Sequence, residues 1–227
     1  GWLAGLNAYL AHYKAEPVVL KGDSANLIDR LSTRDLPPVE GGPMVSVIMP
    51  AWNAEATVEM AVRSILNQSW RNLELIVVDD NSSDGTWGVL QRLACLEPRL
   101  RIRRNAVNAG PYVSKNLGLD MAQGEWITGH DADDWAHPGR IENHLKEALS
   151  GPRPMRASVT FMIRIQTSGF FDTIVKINPF APDGVTRVSS ISALFERKLL
   201  RENLGYWDSV RFGADSEMIA RTQKFIG

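Results

Sequence analysis

VSVIMPAWNAEATVEMAVRSILNQSWRNLELIVVDD, residues 45–80, decides the fold. It opens on Val45-Ser46-Val47-Ile48-Met49, a short apolar run that suits a strand buried in a parallel sheet, with Pro50 expected to end it. From Asn53 to Gln68 the residues Ala54, Val58, Ala61, Val62, Ile65 and Leu66 recur on one helical face. Leu73-Glu74-Leu75-Ile76-Val77-Val78 then supplies a second apolar strand. Strand, helix and strand at this spacing form a βαβ unit, whose crossover is right-handed.

Towards the C-terminus the alternation continues. Asp79-Asp80-Asn81-Ser82-Ser83-Asp84-Gly85 is a polar turn rich in capping residues, and a helix is expected from Thr86 to Leu96. Leu100-Arg101-Ile102-Arg103 reads as a more exposed strand and Tyr112 to Ala122 as a helix. Gly124-Glu125-Trp126-Ile127-Thr128 reads as a strand ending at Asp131-Ala132-Asp133-Asp134. This pattern calls for an α/β layer fold with a largely parallel sheet. Further on, Gly139 to Leu149 is expected to be helical. Ala157 to Ile165 and Phe170 to Ile177 are expected to pair as a hairpin, Ile191 to Phe195 to form a strand, and Lys198–Asn203 and Asp215–Phe225 to form helices. Towards the N-terminus, Trp2 to Tyr13 has an apolar stripe, and a second helix is expected after Asp23 or Ser24 with Leu27, Ile28 and Leu31 as its face. Pro37 to Pro43 reads as a linker. Residues 1–42 are thus expected to be a helical extension and 43–227 the main domain, divided into halves at 137 and 138.

The totals are those of one principal globular domain: 227 residues, 44% hydrophobic, 22% charged. A net charge of -1 gives no electrostatic reason to expect nucleic acid as a partner. Cys95 is the lone cysteine, expected to be a small core residue, and a reducing, cytoplasmic compartment follows. No apolar run is long enough to span a bilayer. Because the chain starts at Gly1 and stops within a helical pattern, it reads as a piece of a longer protein, with room in the absent flanks for further domains or for contact with the inner face of a membrane.

Two acidic turns, Asp79-Asp80 and Asp131-Ala132-Asp133-Asp134, each follow a strand, so both should reach the crevice at the strand ends. Crowded carboxylates need a counter-charge, and a hard divalent cation such as Mg²⁺ or Mn²⁺, sharing phosphate oxygens, supplies one. No Gly-rich phosphate loop follows the first strand, which counts against P-loop and dinucleotide-binding enzymes and against a nucleotidyltransferase. A nucleotide would be gripped otherwise: Trp52 by stacking on a base, Asn53 and Glu55 by bonding polar edges. Among the histidines, His130 is expected to be structural, while His12, His137 and His144 read as helix-surface residues. Arg153, Arg156, Arg187 and Arg211 read as mostly solvated, with one of them available to a diphosphate.

The elements Val45–Ala54, Ser64–Ser69, Glu74–Thr86, Asn108-Ala109-Gly110 and Gly124–Ile127, in this order, resemble the inverting family 2 glycosyltransferases of the GT-A fold. The resemblance is close over residues 44–145 and continues weakly to Arg221. It implies transfer of a sugar from a nucleotide-diphosphate donor, with uridine the expected base, to a glycan or lipid-linked acceptor. A GT-A-like domain that binds glycan or a partner without catalysis is the alternative. Pro50, Ala51, Trp52 and Glu55 correspond to the segment lining base and ribose, with Trp52 in place of the usual Tyr. Asp80 matches the carboxylate that bonds the base. Lys115 stands where an Arg commonly faces the diphosphate, and Gly110 and Ala132 complete the donor side. Asp131 and Asp133 match the Asp-x-Asp motif, Asp133 as metal ligand and Asp131 nearer the sugar or ribose, with Asp134 left a structural role. Asp215 matches the general base, although Ala214 replaces the preceding Glu, and Glu217 is its rival.

Overall fold

The computed structural model describes residues 1–152, 155–166, 168–173 and 182–226. The main sheet contains six strands in the order β5-β4-β3-β6-β8-β7. Four are parallel: β3 (Val45–Ala51), β4 (Leu73–Asp79), β5 (Leu100–Arg104) and β6 (Trp126–Gly129). Two antiparallel strands, β7 (Ala157–Ile163) and β8 (Thr186–Glu196), complete the far edge. From β3 the chain winds outward through β4 and β5, then returns to place β6 on the other side of β3. The sheet therefore changes winding direction between β3 and β6, and the crevice above their carboxyl ends is where α/β sheets bind ligands.

Helices cover both faces. α2 (Val58–Leu66), α3 (Thr86–Ala94) and α5 (Arg140–Ser150) bury Val62, Ile65, Leu90 and Leu145 against Val47, Leu75 and Val77. On the other face α4 (Pro111–Met121) contributes Leu119 and α7 (Ala214–Ile226) contributes Met218. Both pack with Leu199 and Leu200, from α6 (Arg197–Leu199) and the π turn after it, against Ile48, Ile76 and Ile127. α4 lies so close to β3 that a Cβ at Gly118 would come within 2.5 Å of Ile48 Cγ2. The strands buried on both faces are nearly all apolar, as such strands must be. Glu74, 3% exposed, is a charged exception. Its carboxylate accepts hydrogen bonds from Ser46 Oγ at 2.6 Å and the Gln123 amide at 2.7 Å and pairs with Arg101 at 2.8 Å. Burial raises its pKa, but those donors outweigh it and hold the carboxyl below its ordinary value.

Several expectations are corrected. β3 runs through Pro50 to Ala51; its pairing with β6 ends at Ile48, so a proline beyond that point has one open side. α2 begins only at Val58, because Asn53 is left-handed, at φ 48, and the amides of 53–55 bond to another loop. The second N-terminal helix is a single 3₁₀ turn, Ile28–Arg30. Ser24 Oγ and Asn26 Oδ1 capture the amides of Asn26 and Ile28, which competes with helix formation. Leu31 then starts β2 (Leu31–Thr33), antiparallel to β1 (Val18–Leu20). The Pro/Gly run is tethered: Val39 bridges Trp70, and the Trp70 indole donates to Pro43 O at 3.2 Å. β8 is eleven residues long; the buried Thr186, Ser189 and Ser192 hid its first half. The expected hairpin appears as a bridge from Ile165 to Phe171, and residues past Thr173, like Arg153, lie outside the described residues. Cys95 is exposed, at the C-cap of α3 rather than in the core. His144 is buried, not superficial, and its Nε2 lies 2.7 Å from Ser158 Oγ.

α1 (Trp2–His12) and the β1–β2 pair share a cluster of Leu6, Val18 and Leu31 that also takes in Trp135, Ile163 and Phe171 of the main body. No helix among the described residues is long and apolar enough to cross a membrane. The α4–β3 contact generates a test. Gly118→Ala should destabilise the protein by about 1–2 kcal/mol, overpacking outweighing the better helix propensity of Ala. A denaturant midpoint equal to or above wild type would refute the close approach.

Candidate active site

Two loops at the strand ends are stitched together. After β3, the amides of Asn53, Ala54 and Glu55 donate to Ser82 Oγ, Thr86 Oγ1 and Asp84 Oδ2 of the loop after β4, at 2.9, 2.8 and 3.1 Å. In return Asn53 Oδ1 accepts the Ser83 amide and Glu55 Oε2 the Gly85 amide, both at 2.9 Å. Ser82, Ser83 and Asp84 of this polar run thus spend their side chains on the neighbouring loop. Asp80 does the same on the next loop: Oδ1 accepts Asn105 Nδ2 at 2.7 Å and the Ala109 amide at 2.9 Å, and Oδ2 accepts the Gly110 amide at 2.7 Å. Gly110, at φ 94, turns the chain into α4 with a conformation that L side chains rarely adopt.

Between these loops and the end of β6 lies a cleft of about 580 Å³, within the range of small-molecule sites. Pro50, Ala51, Trp52, Asn53, Asp80 and Gly110 line it from one side, and Asp131, Ala132 and Asp133 from the other. These nine residues, singled out from separate stretches, meet in one place. Trp52 is 59% exposed, its ring at the rim. Glu55 does not line the cleft; its carboxylate is held at Gly85. Asp79, the first residue of its acidic pair, turns away and pairs with Arg104 Nε at 3.1 Å. Arg211 and Phe212 also line the cleft, a contribution that sequence reasoning missed for Phe212 and underrated for Arg211. Their position, four and three residues before Asp215, was the available signal.

Lys115 and Asp215 are also brought together, away from the open cleft. Both are buried, and Lys115 Nζ donates to the two carboxylate oxygens of Asp215 at 2.7 and 2.8 Å, beneath the rings of Tyr112 and Trp207. Burial first, then the charge of Asp215, raises the Tyr112 phenol above its ordinary value. Glu217 is committed to Arg221. The Lys115–Asp215 pair adjoins the acidic turn, because Asp131 feels both charges. Burial is the main cause that moves the Asp131 carboxyl up to about 6; Lys115 opposes it, and Asp134, Asp133 and Asp215 reinforce it.

Such a turn suits a cation. Among the described residues no three carboxylates, histidines or cysteines form a complete metal cage. The residues that could contribute to holding a cation are Asp133, exposed in the cleft, and Asp131 beside it. Mg²⁺ and Mn²⁺ take one or two carboxylates of this kind and complete their shell with water and phosphate oxygens. His130 is not such a ligand. It is 4% exposed, its Nε2 lies 3.1 Å from Asp134 O, and burial, followed by the charge of Arg140, lowers its pKa to about 3.

Two measurements check these electrostatics. The folded protein holds the Asp131 proton more tightly than the unfolded chain, so stability without metal should fall as pH rises from 3.8 to about 6. Asp131→Asn should flatten the melting-temperature profile over that interval, and Mn²⁺ should raise the wild-type Tm more strongly above it than below. Identical profiles for wild type and variant would refute the buried charge. Removing either member of the Lys115–Asp215 pair leaves a buried charge, so Lys115→Met and Asp215→Asn should each cost about 3–5 kcal/mol. The double variant should lose less than the sum; additive losses would show that the two do not interact.

Comparison with known proteins agrees with this geometry. The family described as Glycosyl transferase family 2 matches residues 46–201, a span that stops short of Asp215. A Haemophilus influenzae protein named as an uncharacterized glycosyltransferase is 37% identical over 107 residues, 47% of this chain and 43% of its own. The Campylobacter jejuni GalNAc(5)-diNAcBac-PP-undecaprenol beta-1,3-glucosyltransferase is 41% identical over 110 residues, 48% of this chain and 36% of its own. The matches thus cover less than half the length of these relatives. Among solved structures, S. aureus TarS 1-349 in complex with UDP-GlcNAc superposes with a TM-score of 0.59 at 20% identity, covering 78% of this chain and 52% of that one. Mannosyltransferase PcManGT from Pyrobaculum calidifontis, in complex with GDP-Man and Mn2+, gives 0.57 at 23%, covering 96% and 58%. These likenesses establish the GT-A fold. Because the family match runs from β3 to the π turn after β8 and takes in both walls of the crevice between β3 and β6, the chain belongs to the family 2 glycosyltransferases.

Proposed function

We propose that this chain carries the donor site and catalytic base of a metal-dependent, inverting glycosyltransferase. Its donor is a UDP-sugar and its acceptor a glycan or lipid-linked saccharide in polysaccharide or glycoconjugate synthesis. Residues 1–42 act as an extension of the catalytic domain at 43–227. The observation that carries this reading is the single cleft in which Trp52, Asp80, Asp131 and Asp133 converge. The C. jejuni relative, whose printed name gives it an undecaprenol-diphosphate-linked acceptor, and the TarS complex with UDP-GlcNAc support the choice of acceptor and donor.

In this reading the exposed face of Trp52 stacks on the uracil, and the stitched loops hold Ala51, Asn53 and Asp80 around the base and ribose. Asp133 and Asp131 would hold the divalent ion, whose chemistry there would be to offset charge on the leaving diphosphate. Arg211, on the opposite wall, takes over the contact with diphosphate that Lys115 cannot make while it is committed to Asp215. Asp215 removes the proton of the acceptor hydroxyl as that oxygen attacks the anomeric carbon, and the bond to the diphosphate oxygen breaks on the opposite side, inverting the centre. The Lys115 ammonium, bonded to both carboxylate oxygens, fixes the position of Asp215. The one carboxylate lone pair on each oxygen not directed at Nζ remains for the incoming proton.

Calorimetry with UDP and Mn²⁺, followed by rates of donor hydrolysis and transfer, tests the reading. Wild type should bind UDP only with metal present. Asp133→Asn should abolish that dependence together with activity. Asp215→Asn, assayed well below its melting temperature, should keep UDP affinity and lose about 10²–10⁴-fold in kcat. Failure of the wild type to bind any nucleoside diphosphate with Mn²⁺ or Mg²⁺ would overturn it.

A further inference from the structure

A second concavity, of about 480 Å³, lies behind the acidic turn, in the seam between the N-terminal extension and α2. Lys21, Arg30 and Ser32 wall it on the extension side, Met60 and Asn67 on the α2 side, and Trp135 lies between. Trp135 is two residues beyond Asp133 but faces this seam, while Asp133 lines the donor cleft. The two concavities are therefore separate and back onto one short segment.

The charges of the seam are unequal. Three cations, Lys21, Arg30 and Arg63, face two carboxylates, Asp29 and Glu59. Both carboxylates are already occupied: Asp29 accepts from Ser24 Oγ and Asn26 Nδ2, and Glu59 accepts from Arg63 and Arg92. Lys21 reaches Asp35 only at 3.5 Å, with both side chains well exposed, which is worth little. Among the described residues Arg30 has no ion pair, and its Nε is buried without a hydrogen-bond partner. A guanidinium nitrogen taken out of water and left unpaired costs free energy that an anionic ligand would recover. Around this cationic wall the seam offers apolar surface from Trp135 and Met60, and hydrogen-bonding groups from Asn67 and Ser32. An apolar face and hydroxyl-sized polar partners beside a cation are the features that a sugar ring bearing a phosphate would use.

We propose that the seam lined by Arg30, Lys21 and Trp135 is a binding site for a phosphorylated saccharide, distinct from the donor cleft. Arg30 and Lys21 take the phosphate and Trp135 the ring. Because the site is separate, it stands whether or not the donor cleft is a UDP-sugar site.

Glucose 1-phosphate is the probe. The whole chain is labelled with 5-fluorotryptophan, the Trp135 and Trp52 resonances are identified with Trp135→Phe and Trp52→Phe, and ¹⁹F spectra are recorded in EDTA without nucleotide. The proposal expects a saturable shift of the Trp135 resonance with Trp52 unmoved. Affinity should be unchanged in Asp133→Asn, weakened about tenfold or more in Arg30→Gln, and weakened severalfold in Lys21→Gln, whose side chain is well exposed and only loosely paired with Asp35. It is overturned if Trp135 does not shift up to millimolar probe, or if Arg30→Gln and Lys21→Gln, with unaltered melting temperatures, bind as wild type does. It is equally overturned if glucose or inorganic phosphate alone binds as tightly as the sugar phosphate. Loss of binding in Asp133→Asn would place the probe in the donor cleft and also overturn it. The UDP titration with Mn²⁺ reports on the donor cleft alone, so the two readings fail separately.

Discussion

The position of β3 between β4 and β6 is the constraint on which the site depends. Its register sets Ala51 beside Asp79 on one flank and Ile48 beside Gly129 on the other. The loops that follow all three strands therefore emerge on one edge of the sheet. Nothing in those loops is regular, yet the two after β3 and β4 are held together, because each spends polar side chains on the amides of the other. The cleft is rigid where a nucleotide base would lie and more open on the side of Arg211 and Phe212, where Phe212 is 88% exposed.

Charge organises the interior of the site in a second way. A buried lysine is tolerable only with a close partner, and a carboxylate of an acidic cluster is tolerable only with a nearby cation. Lys115 serves both needs: it bonds to Asp215 and at the same time lowers the cost of charging Asp131. Lys115 offsets only part of that cost, since burial and the neighbouring carboxylates still hold the Asp131 carboxyl above its ordinary value. The close seat of α4 on Ile48, made possible by Gly118, is what brings Lys115 within reach of α7.

Much of this was legible in the sequence, and for a definite reason. Parallel strands buried on both faces carry long apolar runs, so β3, β4 and β6 announce themselves, and side chains directly after such strands share an edge. Trp52, Asp80, Asp131 and Asp133 could be grouped on that basis alone. What could not be read was how polar side chains are divided between ligand and scaffold. Asn53, Glu55 and Asp80 have the chemistry of ligand-binding groups, and all three bond to backbone amides; Asn53 and Asp80 line the cleft as well, whereas Glu55 does not. The pairing of Lys115 with Asp215 was hidden for another reason: the two lie one hundred residues apart on opposite helices, and no local pattern encodes such a contact. The polar positions of β8 and the side-chain bonds that melt the second N-terminal helix defeated periodicity in the same manner, since tertiary partners overrode local preference.

The anchoring of α1 has a consequence for the order of folding. Trp2 donates to Gly169 O at 2.5 Å and stacks on Phe171, while Tyr9 and Tyr13 bond to Asp183. These contacts span 167 to 174 residues of chain. During synthesis α1 emerges well before Gly169, Phe171 and Asp183, so these contacts must wait while the parallel core assembles in between. Docking of the extension therefore cannot be complete until the chain has been made as far as Asp183, and Trp135, just after the acidic turn, reaches its final packing only when α1 comes back to meet it.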